Sequence, residues 1–552
     1  MNRFLFIFLF FLQFSFGQTF TMNIEGENSV EKKQIDSLKY TEKHPTVATI
    51  LKEKEKFDLK LQVNGFFQAK LIRQEKQNDS TFLFLYSIGK QISEIDVYIG
   101  KNSKETLKII QVEKDTISLK INSVESWMQS KISLLESKGY SLAKMKLTNH
   151  RQIGKKIHAN LEIETSNKRN VEDLVVLGYD KFPENIKQNW LKKLKKRTFN
   201  QELVKETNDY FSSLPFITQT KYPEILFTDN STKIYAYLEK AKPNKFDGFI
   251  GFSSDEDNNL IFNGYLDLSL QNIFNSGEKF NLFWKNDGKQ QTSFHLGTEL
   301  PYLFKSPIGI KADLRIFKRD STFQNTMTDL NLGYYFTYSK KAFFGYQSSK
   351  SVDIQKINSS FLNSFTNTFF TFSFEYNKRN INDFLFPEKT IFLLKSGIGN
   401  RTISSERSLQ FFSQLDVSHV LYLNPKNNIK LKNQTFYLNS NNYIINELYR
   451  FGGINSIRGF RENSLQANLY SGLMFEYNYI LAPNIYVHSI TDYGYFQDKA
   501  SDIKANLLGL GFGFGLLTKN GVFNLIYANG STNEQTIKLS NSIIHISFKT
   551  TF

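Results

Sequence analysis

The sequence predicts a chain of two parts: α+β repeats, followed by a transmembrane antiparallel β-barrel of sixteen strands. Helical patterns are confined to the residues before 246, and short alternating segments with polar or glycine-containing turns follow them. Aromatic residues make up 15% of the chain, although its mean hydropathy is −0.38. A polar chain rich in aromatic residues suits strands that have one lipid face, one wet face and aromatic girdles at the two interfaces.

The N-terminus reads as a secretory signal peptide, residues 1–17. Arg3 precedes an apolar run over residues 4–12, and Ser15 and Gly17 supply the small residues before a cleavage point. A membrane anchor is the alternative, but a helical span needs about 20 apolar residues and this run is shorter. We therefore expect an exported protein without a transmembrane helix in its mature part. The chain has no cysteine, so burial and hydrogen bonds must stabilise it without disulfides.

Three repeats are predicted between the signal peptide and the barrel. The stretch N-G-F-F-Q-A-K-L-I-R-Q at 64–74 parallels K-G-Y-S-L-A-K-M-K-L-T at 138–148, and in both a helical pattern stops at a glycine. A third helical pattern, at 201–214, stops before Pro215. Each unit reads strand–helix–helix–strand–strand, which resembles the POTRA (polypeptide-transport-associated) domain. The predicted domains are a first POTRA-like unit at 18–90, a second at 91–168, a third at 169–243 and the barrel at 244–552.

The chain is basic, with a net charge of +16. In an exported protein this charge favours anionic lipid headgroups or an acidic protein surface over nucleic acid, and lysine-rich usage alone would also produce it. The densest basic run, L-K-K-L-K-K-R at 191–197, is compatible with a solvated helix end and with a headgroup contact at a membrane surface. We expect no nucleic-acid partner.

The last segment, residues 543–552, shows the barrel pattern most clearly. Polar residues alternate with a second set that shares one face of a strand: Ile544, Ile546, Phe548, Thr550 and Phe552. Sixteen such segments are predicted from residue 246 onward, and an even number suits a single-chain barrel. Closure is required because an open sheet edge in hydrocarbon leaves unsatisfied amides that cost several kcal/mol each. A soluble β-sandwich is the alternative, and the signal peptide and the aromatic content argue against it.

The stretch R-F-G-G-I-N-S-I-R-G-F-R-E-N at 450–463 lies between the eleventh and twelfth predicted strands. It matches the motif G-G-x-x-S-(V/I)-R-G-(F/Y) in full, and with its repeats and its barrel the chain resembles the BamA–TamA outer-membrane assembly superfamily. The resemblance covers essentially the whole mature chain, and three repeats suit the smaller, TamA-like layout. The motif residues are Gly452, Gly453, Ser456, Ile457, Arg458, Gly459 and Phe460.

The resemblance implies that this loop folds back into the barrel and that its arginine meets acidic groups on the twelfth and thirteenth strands. Glu476 and Asp492 match those two positions, and Gly494 completes a D-x-G pattern on the thirteenth strand. The chemistry of Arg458 agrees, because a guanidinium keeps its charge, offers five donors in a fixed fork and is costly to bury without anionic partners. Without these partners, R-G-F would be read as an ordinary surface turn.

We expect an assembly or translocation factor that receives client chains through the repeats and inserts or exports them through a weak barrel seam. Gly248 and Gly251 weaken the first strand, which must pair with the last strand and its Phe548 and Phe552. An opened seam would offer a strand edge to a client. The resemblance implies a bacterial outer-membrane location with the repeats in the periplasm. It also implies the partners: unfolded outer-membrane or secreted client proteins, outer-membrane lipids, and periplasmic or inner-membrane assembly subunits.

Two other functions stay open. One is a two-partner-secretion-type transporter of a single exported protein, which typically has two POTRA domains and a plug helix. The other is a passive porin or ligand receptor, which needs neither the repeats nor the R-G-F motif. No enzyme, metal or cofactor is expected, since there is no cysteine nucleophile, no H-E-x-x-H and no G-x-S-x-G, and seven scattered histidines show no ligand spacing.

Overall fold

The computed structural model describes residues 19–229, 231–254, 260–286, 291–319, 322–354, 362–380, 383–519, 521–533 and 542–551. The predicted signal peptide, 1–17, lies outside the described residues. The chain divides into two compact units: the first holds the described residues up to Arg169 with Thr198–Gln201, and the second holds Asn170–Arg197 and the described residues from Glu202 onward. No helix among the described residues is both long and apolar enough to cross a membrane.

The first unit contains two α+β sheets of the same topology. Its elements are β1 (Phe20–Gly26), α1 (Ser29–Ser37), β2 (Lys43–His44), α2 (Val47–Val63), β3 (Lys70–Lys76), β4 (Thr81–Ser87), β5 (Glu94–Tyr98), α3 (Lys104–Ile109), β6 (Thr116–Lys120), a 3-10 turn (Ile121–Ser123), α4 (Val124–Ser137), β7 (Lys144–Ile153) and β8 (Lys156–Glu164). The sheet orders are β2-β1-β4-β3 and β6-β5-β8-β7. The central pairs, β1 with β4 and β5 with β8, are parallel in both sheets.

The helices of this unit begin and end where the sequence carries capping residues. Asn28 caps α1, because its side chain accepts hydrogen bonds from the backbone N–H groups of Val30 and Glu31. Gly65 and Gly139 follow α2 and α4 with φ of +88° and +94°, a left-handed conformation that glycine adopts without strain. These two glycines turn the chain out of each helix and toward the strand that follows, as the repeat pattern predicts.

The second unit begins with a third α+β sheet. Its elements are β9 (Asp173–Leu177), α5 (Glu184–Lys195), α6 (Gln201–Ser212), β10 (Ile217–Phe227) and β11 (Thr232–Lys240). The sheet order is β10-β11-β9, and β9 runs parallel to β11. The rings of Trp190 and Tyr210 stack at 4.1 Å in its core and join α5 to α6.

The barrel follows directly. Sixteen antiparallel strands close it. They are β12 (Lys245–Ser254), β13 (Leu260–Gln271), β14 (Lys279–Asn286), β15 (Gln291–Leu300), β16 (Ile308–Arg319), β17 (Phe323–Thr337), β18 (Lys340–Asp353), β19 (Phe365–Arg379), β20 (Glu388–Ile403), β21 (Glu406–Asn424), β22 (Asn427–Asn439), β25 (Leu469–Ala482), β26 (Ile485–Asp498), β27 (Ile503–Thr518), β28 (Gly521–Thr532) and β29 (Ile543–Thr551), with two short strands, β23 (Tyr449–Phe451) and β24 (Leu465–Ala467), between β22 and β25. We call the end where β13 turns into β14 the turn end, and the opposite end the loop end.

The strands alternate between an apolar outer face and a polar interior. On β17, Leu330 and Leu332 are exposed at 56% and 58%, whereas Asp329 is buried. Inside, charged side chains form ion pairs between strands: Lys395 contacts Asp329, and Lys311 lies 2.7 Å from Glu375. An apolar exterior around a polar, ion-paired interior is the pattern of a membrane barrel. The predicted fold class, α+β repeats followed by a sixteen-stranded antiparallel barrel, is confirmed.

Candidate functional site

The candidate site is loop six, residues 440–468, which connects β22 to β25 at the loop end. It contains a 3-10 turn, Ile445–Glu447, and the two-stranded hairpin of β23 and β24. The motif forms the tip of this hairpin. Ile457 is fully buried there and Arg458 is only 2% exposed. The tip is therefore not an ordinary surface turn.

Glycines shape the tip. Gly452 and Gly453 have φ of +102° and +97°, in the left-handed region where a side chain would be strained. Two backbone hydrogen bonds close the turn: Gly453 N–H donates to the Ile457 carbonyl at 3.2 Å, and Ser456 N–H donates to the Gly453 carbonyl at 3.1 Å. The turn leaves Arg458 at its end, directed at the barrel wall.

Arg458 binds carboxylates on two neighbouring strands. Its Nε donates to Asp492 Oδ2 at 2.8 Å and its Nη2 to Asp492 Oδ1 at 2.5 Å. The Arg458 backbone N–H also donates to Asp492 Oδ2, at 2.9 Å. Its Nη1 donates to Glu476 Oε1. Asp492 on β26 is fully buried, so this two-pronged contact meets the requirement that a buried charge be paired.

The electrostatics of the site keep Arg458 charged. Burial by itself would lower the pKa of the guanidinium, but the hydrogen bonds and charges of Asp492 and Glu476 outweigh burial and raise it. Lys430 adds a further positive charge, with its Nζ 3.6 Å from Glu476 Oε2. A lysine at position 458 would present a single ammonium to two carboxylates, whereas the planar fork of arginine reaches both.

The other motif residues pack against the same part of the wall. Ser456 Oγ lies 3.2 Å from the hydroxyl of Tyr470 on β25. The Tyr470 ring stacks at 3.9 Å on Phe451, the last residue of β23 before the tip. Gly494 faces the isoleucine of the motif, because a Cβ placed there would lie 3.1 Å from Ile457 Cδ1. Gly494 therefore makes room for the isoleucine of the motif.

Sequence reasoning named Gly494 on the wall but missed the rest of the surface on which the tip rests, a glycine wall formed by Gly494, Gly509 and Gly530 on β26 to β28. A Cβ on Gly530 would lie 2.5 Å from the carbonyl oxygen of Gly459, and a Cβ on Gly509 would meet the carbonyl of Arg458. Backbone thus rests on backbone, which only glycine permits. The signal was present in the sequence, because glycines alternate along β27 at 509, 511, 513 and 515.

The seam between β12 and β29 is the shortest strand pairing of the described barrel. Two residue pairs form there, Lys245 with Thr551 and Phe246 with Thr550. By contrast, ten pairs join β12 to β13 and eight join β28 to β29. Both seam pairs lie at the turn end, so the described parts of the two strands are unpaired with each other toward the loop end.

The residues predicted for the seam lie in its strands but not opposite each other. Gly248 and Gly251 pair with Leu266 and Asn263 of β13, on the other side of β12. Phe548 pairs with Phe523 of β28 and faces outward at 36% exposure. Phe552 lies outside the described residues.

No protein-family model matches the chain, and no curated protein matches it either. Solved structures do match: CdiB from Acinetobacter baumannii aligns with a TM-score of 0.53 and 11% identity, over 92% of this chain and 98% of that one. CdiB from Escherichia coli gives the same values. The chain shares the fold of CdiB. BamA from Haemophilus ducreyi lacking POTRA domains 1–3 aligns with a TM-score of 0.48 and 15% identity, over 84% of this chain and 100% of that one, which is too loose to establish a shared fold.

A second anchor, also missed from sequence, holds the start of loop six against a different part of the wall. Arg401 on β20 donates from Nη1 to Glu447 Oε1 at 2.5 Å, and Gln410 on β21 donates to Glu447 Oε2 at 3.0 Å. The neighbouring Asn446 donates to Ser351 Oγ on β18 at 2.7 Å. The side chains of Arg401 and Glu447 are 3% and 1% exposed. Burial raises the pKa of Glu447, and the charge of Arg401 opposes that shift. Loop six is therefore fixed at its start and at its tip.

Proposed function

We propose that the chain assembles or translocates other proteins at the bacterial outer membrane, with its POTRA-like sheets in the periplasm. Clients are received at those sheets and released through the barrel seam. The observation that carries this proposal is that, among the described residues, two pairs join β12 to β29, whereas the other strands of the barrel pair over much longer stretches.

The seam suits reversible opening. Separating two residue pairs breaks far fewer hydrogen bonds than separating the ten pairs that join β12 to β13. The edges of β12 and β29 then present backbone N–H and C=O groups, and an extended client strand satisfies them by strand addition. Because unsatisfied amides are costly in hydrocarbon, an open seam favours capture of a strand over staying empty.

Loop six would keep the rest of the barrel in place during this opening. Its tip ties β25 and β26 together through Arg458, Glu476 and Asp492. Its start is fixed to β20 through Arg401 and Glu447. The strands next to the seam are then the ones free to separate, while the inner wall that loop six contacts stays rigid.

A disulfide across the seam tests the proposal. The chain contains no cysteine, so the pair F246C/T550C would be the only thiols, at positions that face each other in the register. Facing residues of antiparallel strands have Cα atoms about 4.5–5.5 Å apart, within the range of a disulfide. The protein is reconstituted in vesicles, and insertion of a urea-unfolded eight-stranded outer-membrane barrel is followed by its folded gel mobility.

Oxidised F246C/T550C is expected to lose insertion activity and to recover it on reduction. The matched control is L268C/L282C, which links β13 to β14 at a facing pair away from the seam. It is expected to stay active when oxidised. Full activity of the oxidised seam pair would refute release through the seam.

Replacing the wild-type gene by one that encodes R458A separates the candidate functions in cells. Loss of many outer-membrane barrels from the envelope supports the assembly role. Loss confined to one exported protein supports the alternative of a dedicated two-partner-secretion transporter. An unchanged outer-membrane proteome with altered solute flux supports a porin and contradicts both transport functions.

A further inference from the structure

We propose that the end of helix α5 and the turn between β15 and β16 form a binding surface for anionic phospholipid headgroups. The surface consists of Lys192, Lys195, Lys196, Phe304 and Lys305, and we call it the headgroup surface. It belongs to the second compact unit, in which α5 packs against the turn end of the barrel. The inference does not depend on whether the protein handles clients.

The turn between β15 and β16 has an unusual backbone conformation and exposes an aromatic side chain to solvent. Tyr302, Phe304 and Lys305 have φ of +55°, +52° and +57°, a left-handed conformation that is strained for residues other than glycine. Phe304 is 97% exposed. Helix α5 supports the turn, because Lys192 Nζ donates to the Lys305 carbonyl at 3.0 Å and Asn185 Nδ2 donates to the Pro301 carbonyl at 3.3 Å.

Aromatic residues on the outer face of the barrel indicate the depth of this turn relative to the membrane. Lys193 donates to the backbone carbonyl of Phe336, one residue before the end of β17. Phe336 and Tyr334 face outward at 46% and 45% exposure, and their rings lie 5.0 Å apart. An outward aromatic pair at a strand end marks the membrane interface. Helix α5 therefore meets the barrel at the depth of the lipid headgroups.

The charges on this surface complement a phosphate layer. Lys195 and Lys196 follow Lys192 by three and four residues, so both lie on the same side of the helix end as Lys192. With Lys305 they are exposed, and within the described part of the chain none of the four forms an ion pair. Lysines at a helix C-terminus are favourable by themselves, so a solvated helix end would explain them. It would not explain a strained turn that holds Phe304 in water.

Tryptophan fluorescence tests the contact with lipid. The full chain with F304W is reconstituted in phosphatidylcholine vesicles that contain a small fraction of phosphatidylglycerol, and the wild-type spectrum is subtracted. Bromine, a tryptophan quencher, is placed on the acyl chains of one lipid or the other at equal mole fraction. The introduced tryptophan is expected to be quenched in both cases, and at least twofold more by brominated phosphatidylglycerol. The attraction of one lysine to anionic lipid corresponds to an enrichment of that lipid near the lysine of about fivefold.

Two controls make the test specific. L226W lies near the far end of β10, roughly 30 Å along the strand from Ile217, and is expected to show no quenching. In the F304W chain, K192Q/K195Q/K196Q is expected to make quenching by the two lipids equal. The charge-matched variant K181Q/K205Q/K221Q removes three other exposed lysines, located before α5, in α6 and in β10, and is expected to keep the preference. No quenching of F304W would overturn the membrane contact, and equal quenching by both lipids before the lysines are removed would overturn the headgroup preference.

Discussion

Replacing Arg458 by alanine is expected to detach the tip of loop six from the barrel wall. The change removes the guanidinium from Asp492, which is fully buried, and from Glu476, whose side chain is 15% exposed. Asp492 keeps a single hydrogen bond, from the backbone N–H of residue 458. Removing one partner of a buried ion pair costs about 3–5 kcal/mol, because the remaining charge stays buried without compensation.

Hydrogen exchange measured by mass spectrometry on the vesicle-embedded protein reports the loss locally. In the wild type, the backbone N–H groups of Gly453, Ser456 and Arg458 are hydrogen-bonded, so their exchange within residues 452–460 requires the tip to open. A loss of 3–5 kcal/mol corresponds to exchange that is faster by roughly 10²–10⁴-fold, at tenfold per 1.4 kcal/mol. Amides in the two sheets of the first unit serve as the internal reference and are expected to be unchanged.

A double-mutant cycle with D492N checks the physical cause. Once Arg458 is gone, the neutral amide of D492N removes an uncompensated charge. D492N is therefore expected to be less costly in the R458A chain than in the wild type, with a coupling of at least about 2 kcal/mol. Exchange at 452–460 that changes by less than tenfold in R458A would refute the reasoning, as would strictly additive effects in the cycle.

Three further outcomes follow from the same contacts. E447Q removes the counter-charge of Arg401 and is expected to weaken the second anchor by about 3 kcal/mol, with faster exchange at 442–449 while 452–460 stay protected; loss of both together would show that the anchors are not independent. G459A places a side chain at φ +85° against the backbone of residues 529–530. It is expected to destabilise the tip by at least about 2 kcal/mol, measured by hydrogen exchange at the tip. The control G154A, at φ +63° with open space around it, is expected to destabilise the first unit by about 1 kcal/mol, measured by thermal unfolding. K285Q breaks the contact of Lys285 with Glu462, whose side chains are 38% and 41% exposed, and is expected to shift exchange near Glu462 by less than about 1 kcal/mol, an effect that high salt abolishes.

The fold was predictable because its signals are local. A period of two along a strand such as β29 and a glycine after each long helix of the first unit are read from neighbouring residues. The placement of Arg458 beside Asp492 and Glu476 needed more than local pattern, since nothing in a run of loop residues states which wall they face. The resemblance to a superfamily supplied that contact, and the chemistry of a buried guanidinium made it consistent.

The second anchor could not be found in the same way. Arg401 and Glu447 are 46 residues apart, in a strand and a loop turn that carry no motif, and each is an ordinary charged residue when read alone. The seam register was also out of reach, because a period of two indicates the faces of β12 and β29 but not how far they overlap. The glycine wall was predictable in part. The alternating glycines along β27 are visible in the sequence, but the sequence does not show that loop six rests on them.

The absence of side chains at Gly509 and Gly530 makes loop six part of the inner lining of the barrel. If the tip withdrew, Gly509 and Gly530 would leave backbone exposed on the inner wall where the loop had covered it. Sequence change at either position is thus constrained by the course of the loop, and the loop in turn by the wall. A substitution in the wall is therefore tolerated only together with a compensating substitution in the loop, and the reverse also holds.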